Sequence, residues 1–321
     1  MTDKTLSVLM RRIFTAGESL VDIIFSDDQP RAASAGGAML NTSVSLGRIG
    51  LPVFFISEYG LDDPGNLIDK FLINNGVNTD YTSKYTDGKT AIALAFLDEK
   101  NEAHYTFYKQ YPEKRLEINT PEITPEDIFL FGSIYAITPG VREKLFQLAV
   151  NAFNKGAVVI YDPNFRRAHN NDKEALLPMI KGNMNFSGIV RASDEDCRNI
   201  FGTDNAEESW HEVRSLCGCL IYTAGSHGVS VFTESYQEHF PVRKIQPVST
   251  IGAGDTFNAG LIAAFMRDGI YASDIKLLKE KEWKKIIPTA VDFATEACLA
   301  YENYIGLAFA SRYRSASGFQ I

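Results

Sequence analysis

The chain has 321 residues, of which 45% are hydrophobic, and its formal net charge at pH 7 is -8. That length can bury one large core, and an acidic chain without a dense Lys/Arg block is not a general nucleic-acid binder. No apolar stretch is long enough to span a membrane, and the apolar run before Arg11 is too short for a secretory signal. We therefore expect one cytoplasmic domain covering residues 1–321. The four cysteines have no zinc-site spacing and are expected to be reduced thiols.

Short apolar runs recur between segments of helical periodicity. They lie at residues 13–15, 53–56, 128–131, 157–161, 189–190 and 220–222. Runs that do not alternate are typical of strands covered by helices on both faces. The predicted fold class is therefore α/β, a Rossmann-like three-layer sandwich with a mainly parallel central sheet. Ligands bind beyond the carboxyl ends of such strands, where we expect Gly17, Asp22, Asp162, Thr223 and Gly225.

The segment from about residue 90 to 110 has a different pattern. Large apolar residues alternate with alanine over 91–96, and aromatic residues alternate with polar ones over 105–108. Strict alternation indicates a sheet with two distinct faces, and the polar residues 98–101 suit a hairpin connection. We expect this hairpin to project from the main sheet.

Two glycine-containing turns flank the chain's central part. Residues 36–41 read Gly-Gly-Ala-Met-Leu-Asn, and residues 249–255 read Ser-Thr-Ile-Gly-Ala-Gly-Asp. We call residues 249–254 the anion loop. Its small residues expose backbone N–H groups, and an apolar stripe over 257–265 predicts a helix that starts there and stops at Gly269. Phosphate is favoured at such a helix N-terminus, whereas the carboxylate of Asp255 is either a reacting group or an ordinary first-turn residue.

Together these segments resemble the ribokinase-like (PfkB) family of carbohydrate kinases, and most closely its fructokinase branch. The resemblance covers nearly the whole chain. It rests on the two turns, on residues 16–22 and 60–65, on Asp-Pro-Asn-Phe-Arg at 162–166, and on Tyr-Thr-Ala-Gly-Ser-His-Gly at 222–228. It implies the ribokinase-like fold with a small β-sheet lid over the sugar. The lid strands would lie at about 18–31 and 90–110, and the lid often forms a homodimer surface.

The resemblance also assigns expected roles to individual residues. Asp255 would be the catalytic base, and the N–H groups of Gly252, Ala253 and Gly254 would stabilise the transferring phosphate. The expected sugar contacts are Asp22, Gly36, Gly37 and Asn41, with Arg166 and Lys109 as additions. The expected nucleotide contacts are Ser193, Thr223, Gly225, Gly228, Gly252 and Gly254, with an adenine pocket near residues 297–300.

Residues 193–196, Ser-Asp-Glu-Asp, stand where the family has Asn-x-x-Glu. That motif organises water around magnesium, so the resemblance implies Asp196 as the metal residue. Because Ser followed three residues later by an acid is also typical of a helix start, a capping role remains open. Arg166 has a similar alternative, since it could pair with a structural carboxylate.

The predicted activity is ATP- and Mg²⁺-dependent phosphorylation of a primary hydroxyl of fructose or a similar sugar. Three alternatives remain within the family: a ribokinase, a 2-keto-3-deoxygluconate kinase or a nucleoside kinase. A non-catalytic sugar or nucleotide sensor on the same fold is the alternative from another class. Ser249 replaces an aspartate that often helps to hold a monovalent cation, so we predict little potassium dependence. The polar tail at 311–318 is expected to be mobile.

Overall fold

A computed structural model describes residues 11–26, 29–97, 103–166 and 172–318. The strands are β1 Ile13–Ala16, β2 Leu20–Ser26, β3 Gln29–Gly36, β4 Val53–Gly60, β5 Val77–Asn78, β6 Thr82–Tyr85, β7 Lys89–Leu97, β8 Ala103–Gln110, β9 Ile128–Gly132, β10 Val158–Asp162, β11 Ile189–Ser193, β12 Cys219–Thr223, β13 Val229–Thr233 and β14 Gln237–Phe240. The helices are α1 Ala38–Arg48, α2 Asp63–Asn74, α3 Pro139–Asn154, α4 Lys173–Asn185, α5 Asp194–Phe201, α6 Ala206–Val213, α7 Ala253–Asp268, α8 Glu280–Cys298 and α9 Leu307–Ser317. The predicted connection at 98–101 lies outside the described residues.

The larger sheet is mainly parallel, as predicted. Its strand order is β14-β13-β12-β11-β10-β9-β1-β4-β5, and β6 pairs with β4. The strands from β12 to β5 run parallel, whereas β13 and β14 add an antiparallel edge that the sequence patterns did not predict. All six apolar runs are strands of this sheet.

Two cores cover the two faces of this sheet and make the three-layer sandwich. On one face, side chains of α1, α2, α7, α8 and α9 pack against residues such as Ile13, Leu130 and Ile160. On the other face, α3 to α6 pack against their sequence neighbours Phe14, Phe129 and Tyr161. Because both faces are covered, the strands have no polar face, and this explains the absence of alternation.

The second sheet, which we call the lid sheet, has the strand order β3-β2-β7-β8. The alternating segment forms the antiparallel pair β7 and β8, which confirms the predicted hairpin. One expectation was wrong. Asp22 does not follow a strand of the central sheet but lies within β2, paired with Ser34 and Ala93. The chain leaves β1 at Ala16 and enters the lid sheet at Leu20, after only three intervening residues.

The C-terminal part also differs from expectation. The helix after the anion loop is confirmed as α7, which ends at a left-handed Gly269. The tail expected to be mobile forms α9, where the ring of Tyr313 lies 4.9 Å from that of Phe293. In the part of the chain that the structure describes, no helix is long and apolar enough to cross a bilayer. All four cysteines are free thiols; Cys197, Cys217 and Cys219 are buried, whereas Cys298 is half-buried.

Candidate active site

The anion loop leads directly into the first turn of α7. Gly252 is the N-cap, with a left-handed φ of 79°. A Cβ at this position would lie 2.5 Å from the carbonyl oxygen of Asn303, so the position accommodates only glycine. The Thr256 N–H donates to the Gly252 carbonyl at 2.9 Å, which is the first hydrogen bond of the helix. The Gly254 N–H lies in the first turn, where backbone N–H groups have no acceptor within the helix. The predicted helix N-terminus is therefore formed.

Part of this loop is engaged by its own backbone. The Ala253 N–H donates to the Thr250 carbonyl at 3.3 Å, so it is aimed away from a ligand. The Ile251 N–H donates to the Ser249 hydroxyl at 3.2 Å, which closes a small turn. Ser249 therefore contributes to the shape of the loop.

Asp255 is the point at which the two glycine turns meet. Its side chain is buried, with a residue exposure of 9%, and its Oδ2 accepts from the Asn41 amide at 2.8 Å. The Thr42 hydroxyl donates to the Asp255 carbonyl at 2.8 Å, which ties α1 to α7 a second time. The Asn41 Oδ1 is buried and has no hydrogen-bond partner among the described residues. A buried acceptor without a partner beside a carboxylate is suited to receive a ligand hydroxyl.

Burial raises the pKa of Asp255 to about 7. The Asn41 hydrogen bond opposes this shift, the nearby Asp162 adds to it, and Arg191 and Arg166 oppose it. Burial dominates because an ionised carboxylate loses its hydration there. A pKa in this range is suited to a general base.

Asp22 stands on the lid sheet beside the first glycine turn. A Cβ at Gly36 would lie 2.0 Å from the Asp22 Oδ2, so the missing side chain leaves room for this carboxylate. Gly37 follows as the N-cap of α1, whose fourth residue is Asn41. Burial raises the pKa of Asp22 to about 6, and the charge of Glu18 adds to the shift. The predicted sugar contacts Asp22, Gly36, Gly37 and Asn41 thus lie along a continuous path from the lid sheet to Asp255.

Glu18 is a further carboxylate at this place. The Lys109 ammonium and the Tyr111 hydroxyl donate to its Oε1 at 2.5 and 2.6 Å. Lys109 is therefore held at the predicted site, but its charge is compensated by Glu18. These contacts also join the end of β8 to the segment that enters β2.

The lid face that carries Asp22 also carries two aromatic rings. Ala93 of β7 pairs with Asp22 on one side and with Phe107 on the other, and residues paired in this way share a face. The rings of Tyr105 and Phe107 are stacked 5.9 Å apart and are 48% and 54% exposed. The alanines of β7 leave a strip without large side chains between the aromatic rings and Asp22.

A buried polar network lies beneath the first turn of α7. Asp162 ends β10, and its Oδ2 accepts from Asn258 of α7 at 2.6 Å and from Arg191 of β11 at 3.1 Å. The second terminal nitrogen of Arg191 donates to the Thr223 hydroxyl at 2.8 Å. A Cβ at Gly254 would lie 2.7 Å from the Arg191 guanidinium, so the anion loop rests directly on this cation.

The family model described as "pfkB family carbohydrate kinase" matches residues 11–303. This chain belongs to the pfkB family of carbohydrate kinases. Its relatives include "Probable fructokinase-5" of Arabidopsis thaliana, which is 27% identical over 284 aligned residues. The alignment covers 84% of this chain and 87% of that relative.

Solved structures of a fructokinase and of an aminoimidazole riboside kinase show the same fold. A fructokinase double mutant from Vibrio cholerae, in the fructose-, ADP- and potassium-bound form, superposes with a TM-score of 0.81 at 20% identity. The match covers 95% of this chain and 98% of that one. Aminoimidazole riboside kinase from Salmonella enterica, bound to aminoimidazole riboside and an ATP analogue, gives a TM-score of 0.78 at 21% identity, covering 96% and 100%. The predicted ribokinase-like fold is thereby confirmed.

Ser193 and Asp196 form a helix cap in this pfkB kinase. The Ser193 hydroxyl accepts from the Asp196 N–H at 3.0 Å, and the Asp196 Oδ2 accepts from the Ser193 N–H at 2.8 Å and from its hydroxyl at 2.6 Å. The Asp196 Oδ1 accepts from the Phe165 N–H at 2.6 Å. The capping interpretation is confirmed, and three of roughly four carboxylate lone pairs are used. Within the described residues no group of three or more His, Cys, Asp or Glu side chains could hold a metal ion.

Arg166 takes the alternative partner that the sequence left open. Its guanidinium lies 2.9 Å from Glu195, and both side chains are exposed. Its charge still lowers the pKa of Asp255, so it lies within electrostatic range of this carboxylate. A direct sugar contact by Arg166 remains a prediction.

Three of the predicted nucleotide residues, Thr223, Gly225 and Gly228, lie at the end of β12 and just past it. Gly225 begins a single 3-10 turn and has open space around its Cα, whereas a Cβ at Gly228 would lie 2.5 Å from the Phe240 carbonyl oxygen. Exposed apolar side chains occur in the anion loop, at Ile251, and in the neighbouring segments, at Val248, Leu299 and Tyr301.

Sequence reasoning missed Arg191, Asn258 and Glu18. Arg191 interrupts the apolar run 189–192, and Asn258 interrupts the apolar stripe of α7, so each carried a detectable signal. A charged or amide side chain in an apolar segment needs a buried partner. Glu18 carried no comparable signal, because its partners are about 90 residues away in the chain.

Proposed function

We propose that this protein is an ATP-dependent kinase that phosphorylates a primary hydroxyl of fructose or a similar neutral sugar. The hydrogen bond between Asn41 and Asp255 carries the proposal, because it joins the first glycine turn, residues 36–41, to the buried carboxylate that directly follows the anion loop. The relatives named fructokinase support the choice of sugar.

In the proposed reaction, the sugar hydroxyl oxygen attacks the γ-phosphorus of ATP in line as the bond to the β,γ-bridging oxygen breaks. Asp255 accepts the hydroxyl proton, and ADP leaves with the bond's electron pair. Because the transition state is loose, catalysis depends on position and charge more than on early deprotonation. The Gly254 N–H and the dipole of α7 stabilise charge on the transferring group.

We propose that the nucleotide lies between β12 and α7, with Thr223, Gly225 and Gly228 beside its phosphates. Val248, Ile251, Leu299 and Tyr301 would form the adenine side, because a flat apolar base is bound by apolar side chains. Ser193 would contribute only through its position, since its hydroxyl caps α5.

Magnesium fits this site through the nucleotide rather than through a protein cage. Mg²⁺ is commonly held by one or two carboxylates together with substrate phosphates. Asp196 offers a hard oxygen donor with one lone pair left, so we propose it as the nearest protein group, acting through water. When bound, the ion would neutralise phosphate charge during transfer.

The charges around the proposed sugar position disfavour acidic substrates. Asp22 and Glu18 are both carboxylates, and Lys109 is already paired with Glu18. A carboxylate or phosphate on the substrate would be repelled by Asp22. A 2-keto-3-deoxygluconate kinase is therefore the weakest of the family alternatives.

A riboside kinase is the second candidate, favoured by the half-exposed rings of Tyr105 and Phe107 on the Asp22 face of the lid sheet. Such rings can stack on a base as well as on the apolar face of a sugar. The similarity to aminoimidazole riboside kinase supports this candidate.

We also propose that the protein forms a homodimer through the opposite lid face. Phe25 and Phe96 stack there at 4.8 Å, and Tyr108 is 59% exposed. Exposed aromatic groups of this kind are typical of protein interfaces. Replacing Phe96 by Glu should convert a dimer into a monomer in light scattering, and a wild-type monomer would refute the proposal.

Free thiols suit a reducing compartment such as the cytoplasm.

A coupled ADP-release assay tests the main proposal. Fructose, ribose, 2-keto-3-deoxygluconate and adenosine, with aminoimidazole riboside added, form the substrate panel. The highest kcat/KM is expected with fructose, and a preference for a riboside would select the second candidate. No substrate-dependent ADP release, together with measurable sugar or nucleotide binding by calorimetry, would instead indicate a sensor.

A further inference from the structure

Arg191 is a buried cation at the centre of the site. It belongs to β11, which lies between β10 and β12 in the parallel sheet, and it contacts the carboxyl end of each neighbour. Its side chain is 9% exposed, and its Nε has no hydrogen-bond partner among the described residues. A desolvated guanidinium acts on its surroundings far more strongly than an exposed one.

The anion loop is shaped around this cation. Gly254 lies inside α7, where any residue could adopt the backbone conformation, yet a Cβ there would lie 2.7 Å from one terminal nitrogen of Arg191 and 3.0 Å from the other. The guanidinium also lies 5.5 Å from the ring centre of Phe257, one helical turn below the loop. Gly254 is thus required for the close approach of Arg191.

The charged groups near Asp255 indicate the role of Arg191. Asp162 of β10 is a second buried carboxylate whose charge disfavours ionisation of Asp255, and Asn41 of α1 contributes a neutral hydrogen bond. Arg191 and the exposed Arg166 are the cations that favour ionisation. Of these two, Arg191 is the one held in a fixed geometry, between Asp162 and Thr223.

We infer that Arg191 is a positioning residue for phosphoryl transfer, fixing Asp162 and Thr223 beneath the first turn of α7 and placing a positive charge behind Gly254. The inference rests on the proposed kinase function. The charge would keep the base ionised and would favour a phosphate at the anion loop, whereas the planar fork fixes the ends of two strands relative to α7.

Two substitutions separate charge from geometry. Arg191→Gln removes the charge and keeps a hydrogen-bond donor, whereas Arg191→Lys keeps the charge and loses the fork. We expect Arg191→Gln to lower kcat about 100-fold, the usual effect of losing one preorganised electrostatic group, with the sugar KM within about threefold. The acid limb of kcat/KM should move to higher pH, because Asp255 loses a stabilising cation. Arg191→Lys should lose about tenfold in kcat and keep the limb in place.

Arg12→Gln is the matched control. Arg12 pairs with buried Asp127 at 2.7 Å, just before the first residues of β1 and β9, at the opposite end of the sheet. It should lower the melting temperature and leave kcat and the pH profile unchanged.

A wild-type kcat and acid limb in Arg191→Gln would refute the inference. If Arg191→Gln does not fold, wild-type kcat in Arg191→Lys refutes it equally, because the fork would then have no role. The same assay on wild-type protein separates the two proposals: no sugar-dependent ADP release rejects the kinase function, whereas activity that is indifferent to Arg191 rejects only this inference.

Discussion

The two ends of the candidate site are built in opposite ways. At the anion loop, Asp255, Asp162 and Arg191 are buried and are held by side chains of different strands and helices. On the lid sheet, Tyr105 and Phe107 are about half exposed and stack on each other. Groups that do chemistry need a fixed geometry, whereas groups that select a substrate can vary without disturbing a core. We therefore expect loop substitutions to act on kcat and lid substitutions to act on KM.

The largest expected effect comes from Asp255→Asn. Losing the general base should lower kcat about 1,000-fold, while the affinity for a non-hydrolysable ATP analogue in calorimetry stays within about threefold. The amide is isosteric, so the bond to Asn41 is the main local contact at risk. A kcat within about tenfold of wild type would mean that another group accepts the proton.

Asp22→Asn should act on the other side of the comparison. Losing hydrogen bonds to a charged acceptor, worth roughly 2 kcal/mol, should raise the sugar KM about 30-fold while kcat changes less than about fivefold. Asp69→Asn is the control, because it makes the same change at a carboxylate that is not a predicted sugar contact. Asp69 lies on α2 and accepts from the Lys84 ammonium at 2.9 Å. Equal losses of kcat for Asp22→Asn and Asp255→Asn would remove the distinction between loop and lid.

The pH profile of kcat/KM should show both carboxylates in the free enzyme. Below about pH 7, protonation of Asp255 should lower kcat/KM by up to tenfold per unit. Below about pH 6, protonation of Asp22 should add a second slope that comes from KM. Asp22→Asn should remove only the second slope. A flat profile between pH 5 and 8 would show that neither carboxylate titrates there.

The smallest expected effect concerns potassium. Ser249 is a neutral residue whose hydroxyl accepts from the Ile251 N–H, so it is a weak ligand for a monovalent cation. Exchanging sodium for potassium at fixed ionic strength should change kcat less than about twofold, since a hydroxyl binds the ion more weakly than a carboxylate does. Ser249→Asp should increase the response, and strong activation of wild type by potassium would contradict the prediction.

Six parallel strands were predictable because each contains an apolar run, whereas the parallel strands β5 and β6 contain none and were missed. The lid hairpin was predictable because its alternation reports two unlike faces. The edge strands β13 and β14 and the helix α9 were missed. β13 is a short apolar strand, β14 is mostly polar, and α9 is held by neighbours such as Phe293. The capping of α5 was predictable as an alternative, but only the structure shows that Ser193 and Asp196 make both capping contacts.

The sequence by itself determined the α/β class, the pfkB resemblance and the two glycine turns, because apolar periodicity and glycine spacing are local properties. Tertiary structure alone decided that Asn41 meets Asp255, that Glu18 neutralises Lys109 and that Arg191 supports Gly254. Along the chain these partners are between 63 positions apart, for Arg191 and Gly254, and 214 positions apart, for Asn41 and Asp255. Contacts at such separations depend on how strands are ordered in the sheet, which no local pattern encodes.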